Sequence, residues 1–332
     1  MDEYIYSSAR FRVKELGLIG AERTRRLLEA QTTARCVQLL SEFGVKIITD
    51  PESGKFLREE TLSLRLRTAY EELLEDSPDA RFLKLWLYPY DCNNLKAAIK
   101  CKHRGIDPTD LLFDFGTVEP GDILYMAEQG DFEKLPEPFA SAAAEAVEAF
   151  SKTANPQWVD LILDRACYRA MLLEARASKV ALAIRLVERK IDLTNLLILI
   201  RLLRMHAGES GKTMLQNAWI EGGTLDLQEF SAYYDAGEAV FWERLSYLDS
   251  YRRFALAVNG TDATLTEIER AADNDFMALV REAKSYPYGA EPLLGYLLAS
   301  EYESRNLRII LAAFEAGLSV LTVEERIRDC YV

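Results

Sequence analysis

The chain has 332 residues, 49% of them hydrophobic and 28% charged, a balance that belongs to folded globular proteins and a length that predicts two or three core units. A formal net charge of −13, with no long Lys/Arg run, argues against nucleic acid or an anionic membrane surface as partner. Five scattered cysteines (Cys36, Cys92, Cys101, Cys167, Cys330) form no C-x-x-C pair, and only His103 and His206 are available to join them. No zinc set results, and reduced, mostly buried thiols are expected.

The opening Met1-Asp2-Glu3-Tyr4 lacks the basic and apolar regions of a signal peptide, so none is expected. Val45-Lys46-Ile47-Ile48-Thr49 followed by Asp50-Pro51-Glu52-Ser53-Gly54 reads as a connector rather than a strand. Leu62, Leu66, Ala69, Tyr70, Leu73 and Leu74 then recur with the i, i+4, i+7, i+8 period of an amphipathic helix. Gln157 to Lys190 contains neither Pro nor Gly and predicts one long helix or two joined end to end. The longest apolar run, Leu193 to Leu203, is interrupted by Thr194, Asn195 and Arg201 and is about half of the ~20 residues a membrane span needs. Further helices are predicted over 236–255 and 264–285, and another from near Pro292 toward Gly317. The predicted fold class is all-α.

Three segments share an acid, an asparagine three positions later, a leucine directly after it and an aliphatic residue four further on. They are Asp91, Asn94, Leu95 with Ile99; Asp192, Asn195, Leu196 with Ile200; and Glu303, Asn306, Leu307 with Leu311. The asparagines are 101 and 111 positions apart, and Gly105, Gly208 and Gly317 follow the three copies. A second matching piece aligns Phe115-Gly116-Thr117-Val118-Glu119-Pro120-Gly121 with Ala218-Trp219-Ile220-Glu221-Gly222-Gly223-Thr224, and the third copy is expected to lack it because the chain ends. The period predicts a triplicated helical unit, divided approximately as 1–118, 119–221 and 222–332. Asn is a mediocre helix former, so its recurrence asks for a reason. A side-chain amide that fixes packing register supplies one, with the acid accepting from that amide or from a nearby Arg. Asp91 and Asp192 are candidates for N-caps, whereas Glu303 falls well inside its helix.

Several patterns mimic chemistry. Gly208-Glu209-Ser210-Gly211-Lys212-Thr213 resembles a phosphate-binding loop, but the first glycine of that motif would fall on His206, and a helix rather than a strand precedes it. A glycine-rich helix–helix turn is the expectation. Asp273-Asn274-Asp275 resembles a metal-diphosphate acid pair, yet no second acidic cluster accompanies it, and a solvated helix face is expected. His103, in Lys100-Cys101-Lys102-His103-Arg104, reads as part of a basic helix end. No catalytic set, cofactor or metal site is therefore expected.

The third copy and its approach, Tyr286-Pro287-Tyr288-Gly289 through Asn306-Leu307-Arg308-Ile309-Ile310, resembles the C-terminal signature of the C subunit of prokaryotic V/A-type ATPases and ATP synthases, which is similar to the d subunit of the eukaryotic vacuolar enzyme. Tyr90 to Lys100 and Ile191 to Leu196 extend the resemblance. It implies three similar helical bundles in a pseudo-threefold funnel, one copy per complex, peripheral on the cytoplasmic face. It also implies a non-catalytic socket that receives the D and F subunits of the central stalk and sits on the proteolipid rotor ring. Residues 207–213 and 285–292 are candidate partner-contact loops, with Gly208, Gly211, Lys212, Tyr286, Tyr288 and Glu291 as candidate residues. The rival reading is a helical scaffold of an unrelated complex, disfavoured because solenoid repeats have periods of about 34–47 residues.

Overall fold

A computed structural model describes residues 2–205 and 208–332. Among them 73% of the chain is helical and no strand forms, so the fold is all-α as the periodicity predicts. In chain order the α-helices are α1 (Ile5–Glu15), α2 (Ala21–Glu29), α3 (Thr33–Glu42), α4 (Arg58–Asp76), α5 (Arg81–Lys84), α6 (Tyr88–Arg104), α7 (Pro120–Gln129), α8 (Phe139–Thr153), α9 (Gln157–Ser178), α10 (Ala181–Arg204), α11 (Gly208–Ala218), α12 (Leu227–Ala236), α13 (Glu238–Tyr247), α14 (Arg252–Leu256), α15 (Leu265–Val280), α16 (Ala290–Glu315) and α17 (Val320–Glu324). The Val45–Thr49 stretch is a connector, closed by a single bridge between Thr49 and Phe56.

The chain folds as two compact units. One comprises Met1–Ala80 with Trp242–Val332, and the other Arg81–Phe241. In the first, α16 packs against α1, α3 and α4. Its long apolar face supplies Leu307, Ile310, Leu311 and Phe314 to a core that also holds Leu27, Leu40, Leu62 and Val323. Pro292 stands in the first turn of α16, where its missing N–H costs nothing, and Gly317 follows the helix with φ +70°. A capping box between Thr264 and Glu267 starts α15.

In the second unit α9 is central, packed against α6, α8 and α10. The buried face of α8 is Ala142, Ala143 and Ala146 between Phe139 and Phe150, small residues that let two helices approach closely. The Pro- and Gly-free stretch from Gln157 divides after all: Lys179 adopts φ +59°, and the Ser178 hydroxyl accepts from the Val180 N–H, so α9 ends and α10 begins without a helix breaker. Across α6 and α9, Lys96 pairs with Asp164 and Lys100 with Asp160.

Two expectations change here. Residues 208–213 form no turn: they are the first turns of α11, and Lys212 pairs with Asp235 of α12. His206 and Ala207 lie outside the described residues. Asp273-Asn274-Asp275 is no solvated face either. Asp273 accepts from Tyr302 Oη at 3.1 Å, Arg305 at 2.8 Å and Arg328 at 3.0 Å, while Asn274 Oδ1 accepts from the Asp329 N–H at 2.8 Å and Asp275 is buried. Two guanidinium groups on one carboxylate neutralise it and repel a cation. Among the described residues, no group of three or more His, Cys, Asp or Glu side chains is placed to hold a metal.

Candidate functional site

Each motif asparagine is fully withdrawn from water, with exposures of 0% for Asn94, 1% for Asn195 and 3% for Asn306. An amide buried this deeply needs its donor and acceptor both satisfied, since each unmade bond costs about 1–3 kcal/mol. All three meet the demand in the same way, by gripping both backbone groups of one residue on a later segment. Asn94 Nδ2 donates to Phe113 O (2.9 Å) and its Oδ1 accepts from Phe113 N (2.8 Å). Asn195 does the same to Ile220 (2.9 and 3.0 Å) and Asn306 to Arg328 (2.9 and 3.0 Å). The grip mimics a strand-like pairing between a helix side chain and an irregular backbone. The neighbouring Leu95, Leu196 and Leu307 are 0%, 0% and 1% exposed. Each contributes about 1.5–3 kcal/mol of burial, which offsets the desolvation of the amide beside it.

The acids of the first two copies latch the backbone a few residues further along. Asp91 accepts from the Thr117 N–H and hydroxyl and from the Val118 N–H at 2.6–3.1 Å. Asp192 accepts from the equivalent groups of Thr224 and Leu225 at 2.8–3.1 Å. Both latched segments lead directly into a helix, α7 in one case and α12 in the other. In each the residue before the threonine is glycine for a steric reason: a Cβ on Gly116 would stand 2.2 Å from Asp91 Oδ1, and one on Gly223 would stand 2.0 Å from Asp192 Oδ1. Burial raises the pKa of Asp91, and its Thr117 and Val118 donors only partly oppose that.

The true register of the second piece therefore pairs Phe113 with Ile220 and Gly116-Thr117-Val118 with Gly223-Thr224-Leu225. The sequence alignment of Phe115 with Ala218 is out of step by four positions, because it matched residue types where the carboxylate matches backbone donors. The third copy is also not bare. Arg328, near the end of the chain, is its clasped residue. Neither Asp91 nor Asp192 is an N-cap: Asp91 is in the first turn of α6, and Asp192 is midway along α10. Glu303 departs from both. Its Oε1 accepts from Arg65 Nε at 2.6 Å and its Oε2 from the Ile19 N–H, which ties α16 to the α1–α2 connection and to α4.

The remaining candidates are dispersed. Gly208, Gly211 and Lys212 are in α11, with Gly211 buried. Tyr286 and Tyr288 belong to a loop held against α1: Arg12 donates to the Ala283 and Tyr286 carbonyls at 2.7 Å, and Ser8 Oγ exchanges hydrogen bonds with Gly289. Tyr288 is 45% exposed. Glu291 is in the first turn of α16. His103 packs its ring 4.1 Å from that of Phe150, and Lys102 donates to the carbonyls of Ala127 and Glu128, which closes the C-terminal end of α7. Sequence reasoning quoted Gly116, Gly223 and Asp273 without finding the close approach of the glycines to the acids or the arginines gathered on Asp273. A Gly-Thr pair occurs in both latched segments and could have served as a signal, whereas the partners of Asp273 are 29 to 55 positions away and carry no local signature.

The arrangement spends the polar groups of its asparagines and of Asp91 and Asp192 on groups of later segments of this chain. Its chemistry is that of fasteners. Among the described residues no helix is long and apolar enough to cross a membrane.

The C subunit of the A-type ATP synthase of Thermococcus onnurineus is 26% identical over 98% of this chain and 90% of its own length. The C subunit of the V-type sodium ATPase of Enterococcus hirae is 23% identical over 99% of both chains. Its counterpart in the A-type ATP synthase of Haloferax volcanii is 26% identical over 96% of this chain and 95% of its own. The model of the ATP synthase (C/AC39) subunit family matches residues 7–326, which takes in all three motifs and leaves only the clasped Arg328 just past its end. This chain belongs to the ATP synthase (C/AC39) subunit family.

Proposed function

We propose that this chain is the non-catalytic coupling subunit of a V/A-type rotary ATPase, which seats the D and F subunits of the central stalk on the proteolipid ring. It works as a single copy, peripheral on the cytoplasmic face. The family match over residues 7–326 carries the reading. The clasps support it physically. A torque coupler needs segments that do not slide, and a buried amide gripping both polar groups of one backbone residue resists slippage in either direction along the chain. Close-packed helices deform little under load. The three repeats, 1–118, 119–221 and 222–332, each contribute one clasping helix: α6, α10 and α16.

Pull-down of the tagged chain from detergent-solubilised membranes tests this reading. Recovery of the D and F stalk subunits with the proteolipid is expected. Recovery of a different assembly without them would overturn it in favour of a helical adaptor. ATP and Mg²⁺ should leave the melting temperature of the isolated chain unchanged, since a ligand that binds only the native state raises it.

A further inference from the structure

The third clasp differs from the first two in what it holds. Asn94 and Asn195 grip Phe113 and Ile220, whereas Asn306 grips an arginine, Arg328. That arginine lines a hollow of about 570 Å³ bounded by α15, α16 and α17, inside the unit of residues 1–80 and 242–332. The floor is apolar, made by Ile309, Ala312 and Ala313 of α16 and Val323 of α17. The walls carry four guanidinium groups, those of Arg305, Arg308, Arg326 and Arg328, and Glu269 is the one carboxylate among the described lining residues. In a chain with 40 Lys and Arg against 53 Asp and Glu, that local ratio is inverted. Asp273 is shared between Arg305 and Arg328, and Glu59 serves Arg308, so with Glu269 three acids face the four cations. Among the described residues the Arg326 side chain has no hydrogen bond or ion pair. Its neighbours keep spare donors: Arg305 bonds through Nη1 alone and Arg308 through Nε alone, out of the several N–H groups of each fork.

We infer that this hollow docks an acidic peptide segment of a partner protein, with an apolar side chain between its carboxylates. Guanidinium forks bind planar carboxylates through paired hydrogen bonds, and a surplus of cations selects an anion. The floor decides which kind. A small hydrated anion would leave Ile309 and Ala312 under water, whereas a peptide lays an apolar side chain on them. A bilayer is flat and does not reach the bottom of a hollow. Charge excludes larger polyanions: a short segment feels mainly the charges within a screening length of about 8 Å, and here those are the arginines. Nucleic acid, or a second copy of this chain, would spread beyond them onto a surface whose net charge is −13. The site is also built in advance. The Asn306 clasp fixes the Arg328 backbone, Asp273 fixes its guanidinium, and Arg328 Nη1 donates to the Arg326 carbonyl. Donors already held in place lose less side-chain freedom when a ligand arrives.

The site is read from this hollow alone, so its test separates from that of the proposed function. Arg326→Lys puts an amine on the wall of the hollow, in the full chain within native membranes. Arg25→Lys, at a side chain 62% exposed on α2, is the control. A water-soluble carbodiimide joins such an amine to a carboxylate in contact with it and leaves arginine unmodified. The 326 variant should give at least tenfold more partner adduct than the control, mapping to an Asp or Glu beside an apolar residue on one partner segment. Salt at about 1 M, where the screening length is ~3 Å, should remove most of that yield. Circular dichroism should be unaltered, because Arg326 is exposed and unpaired among the described residues. Yields equal to the control would overturn the inference, as would adducts only within this chain, to a second copy or to a serine phospholipid. A yield indifferent to salt would overturn it too. An acidic segment mapped from outside a rotary ATPase would instead retain the site and remove the proposed function.

Discussion

The two compact units use the same three-residue motif differently. In the unit of residues 81–241 the motif occurs twice, and both times the acid and the asparagine grip one continuous segment: the asparagine takes Phe113 or Ile220, and the acid takes the Gly-Thr turn three or four residues later. In the other unit the asparagine still grips a later residue, Arg328, but the acid has let go of that segment and grips Ile19 and Arg65 instead. The backbone clasp is thus the shared device, and the acid is free to serve whatever donor the neighbouring chain supplies. A carboxylate accepts from any donor in reach, whereas an amide with both edges in use fits only a paired N–H and C=O.

The strongest way to break this comparison is to delete the clasps and rank the losses. Asn195→Ala leaves both polar groups of Ile220, itself only 3% exposed, without partners. A loss of about 2–4 kcal/mol is expected. Asn94→Ala should cost less, roughly 1–2 kcal/mol, because Phe113 is 47% exposed and water can replace the amide. Hydrogen exchange at the clasped N–H, read beside thermal unfolding, distinguishes the two, and equal losses would refute the account. Gly223→Ala and Gly116→Ala come next. Each drives a methyl group into the latching carboxylate, with an expected penalty of about 1–3 kcal/mol by urea unfolding and no effect if the latch is absent.

The acids sharpen the contrast further. Glu303→Gln leaves Arg65 without its charged acceptor, while Asp192→Asn keeps an oxygen for the Thr224 and Leu225 N–H groups and can turn its NH₂ toward the Thr224 hydroxyl. The glutamine variant should therefore lose more, by roughly 1 kcal/mol, in a direct melting comparison. Arg65 is about a quarter exposed, which keeps the figure small. The least effect concerns pH. Burial raises the Asp91 pKa above its ordinary 3.8. The folded chain then binds this proton more tightly than the unfolded chain, so the contribution of Asp91 to stability falls as pH rises from 3.8 through the raised value. Asp91→Asn should lack that decline, so the melting temperature of the unsubstituted chain minus that of the variant should fall as pH rises through the acidic range, and a rise instead would contradict a pKa raised by burial.

Sequence alone determined the helical class, the start of α9 at Gln157, the Pro292 to Gly317 extent of α16 and the identity of the motif residues, because apolar period, capping and punctuation are local properties that one segment displays without its neighbours; the helix expected over 236–255 is instead α13 and α14, broken between Tyr247 and Arg252. It also exposed the triple recurrence of Asn-Leu, though not what the asparagine held. The clasped residues, the four-position shift of the Gly-Thr turn, the reassignment of Glu303 to Ile19 and the gathering of Arg305 and Arg328 on Asp273 were decided only by tertiary structure. A hydrogen bond to a distant backbone leaves no mark on the sequence at the acceptor, since every residue except proline offers the same N–H and C=O.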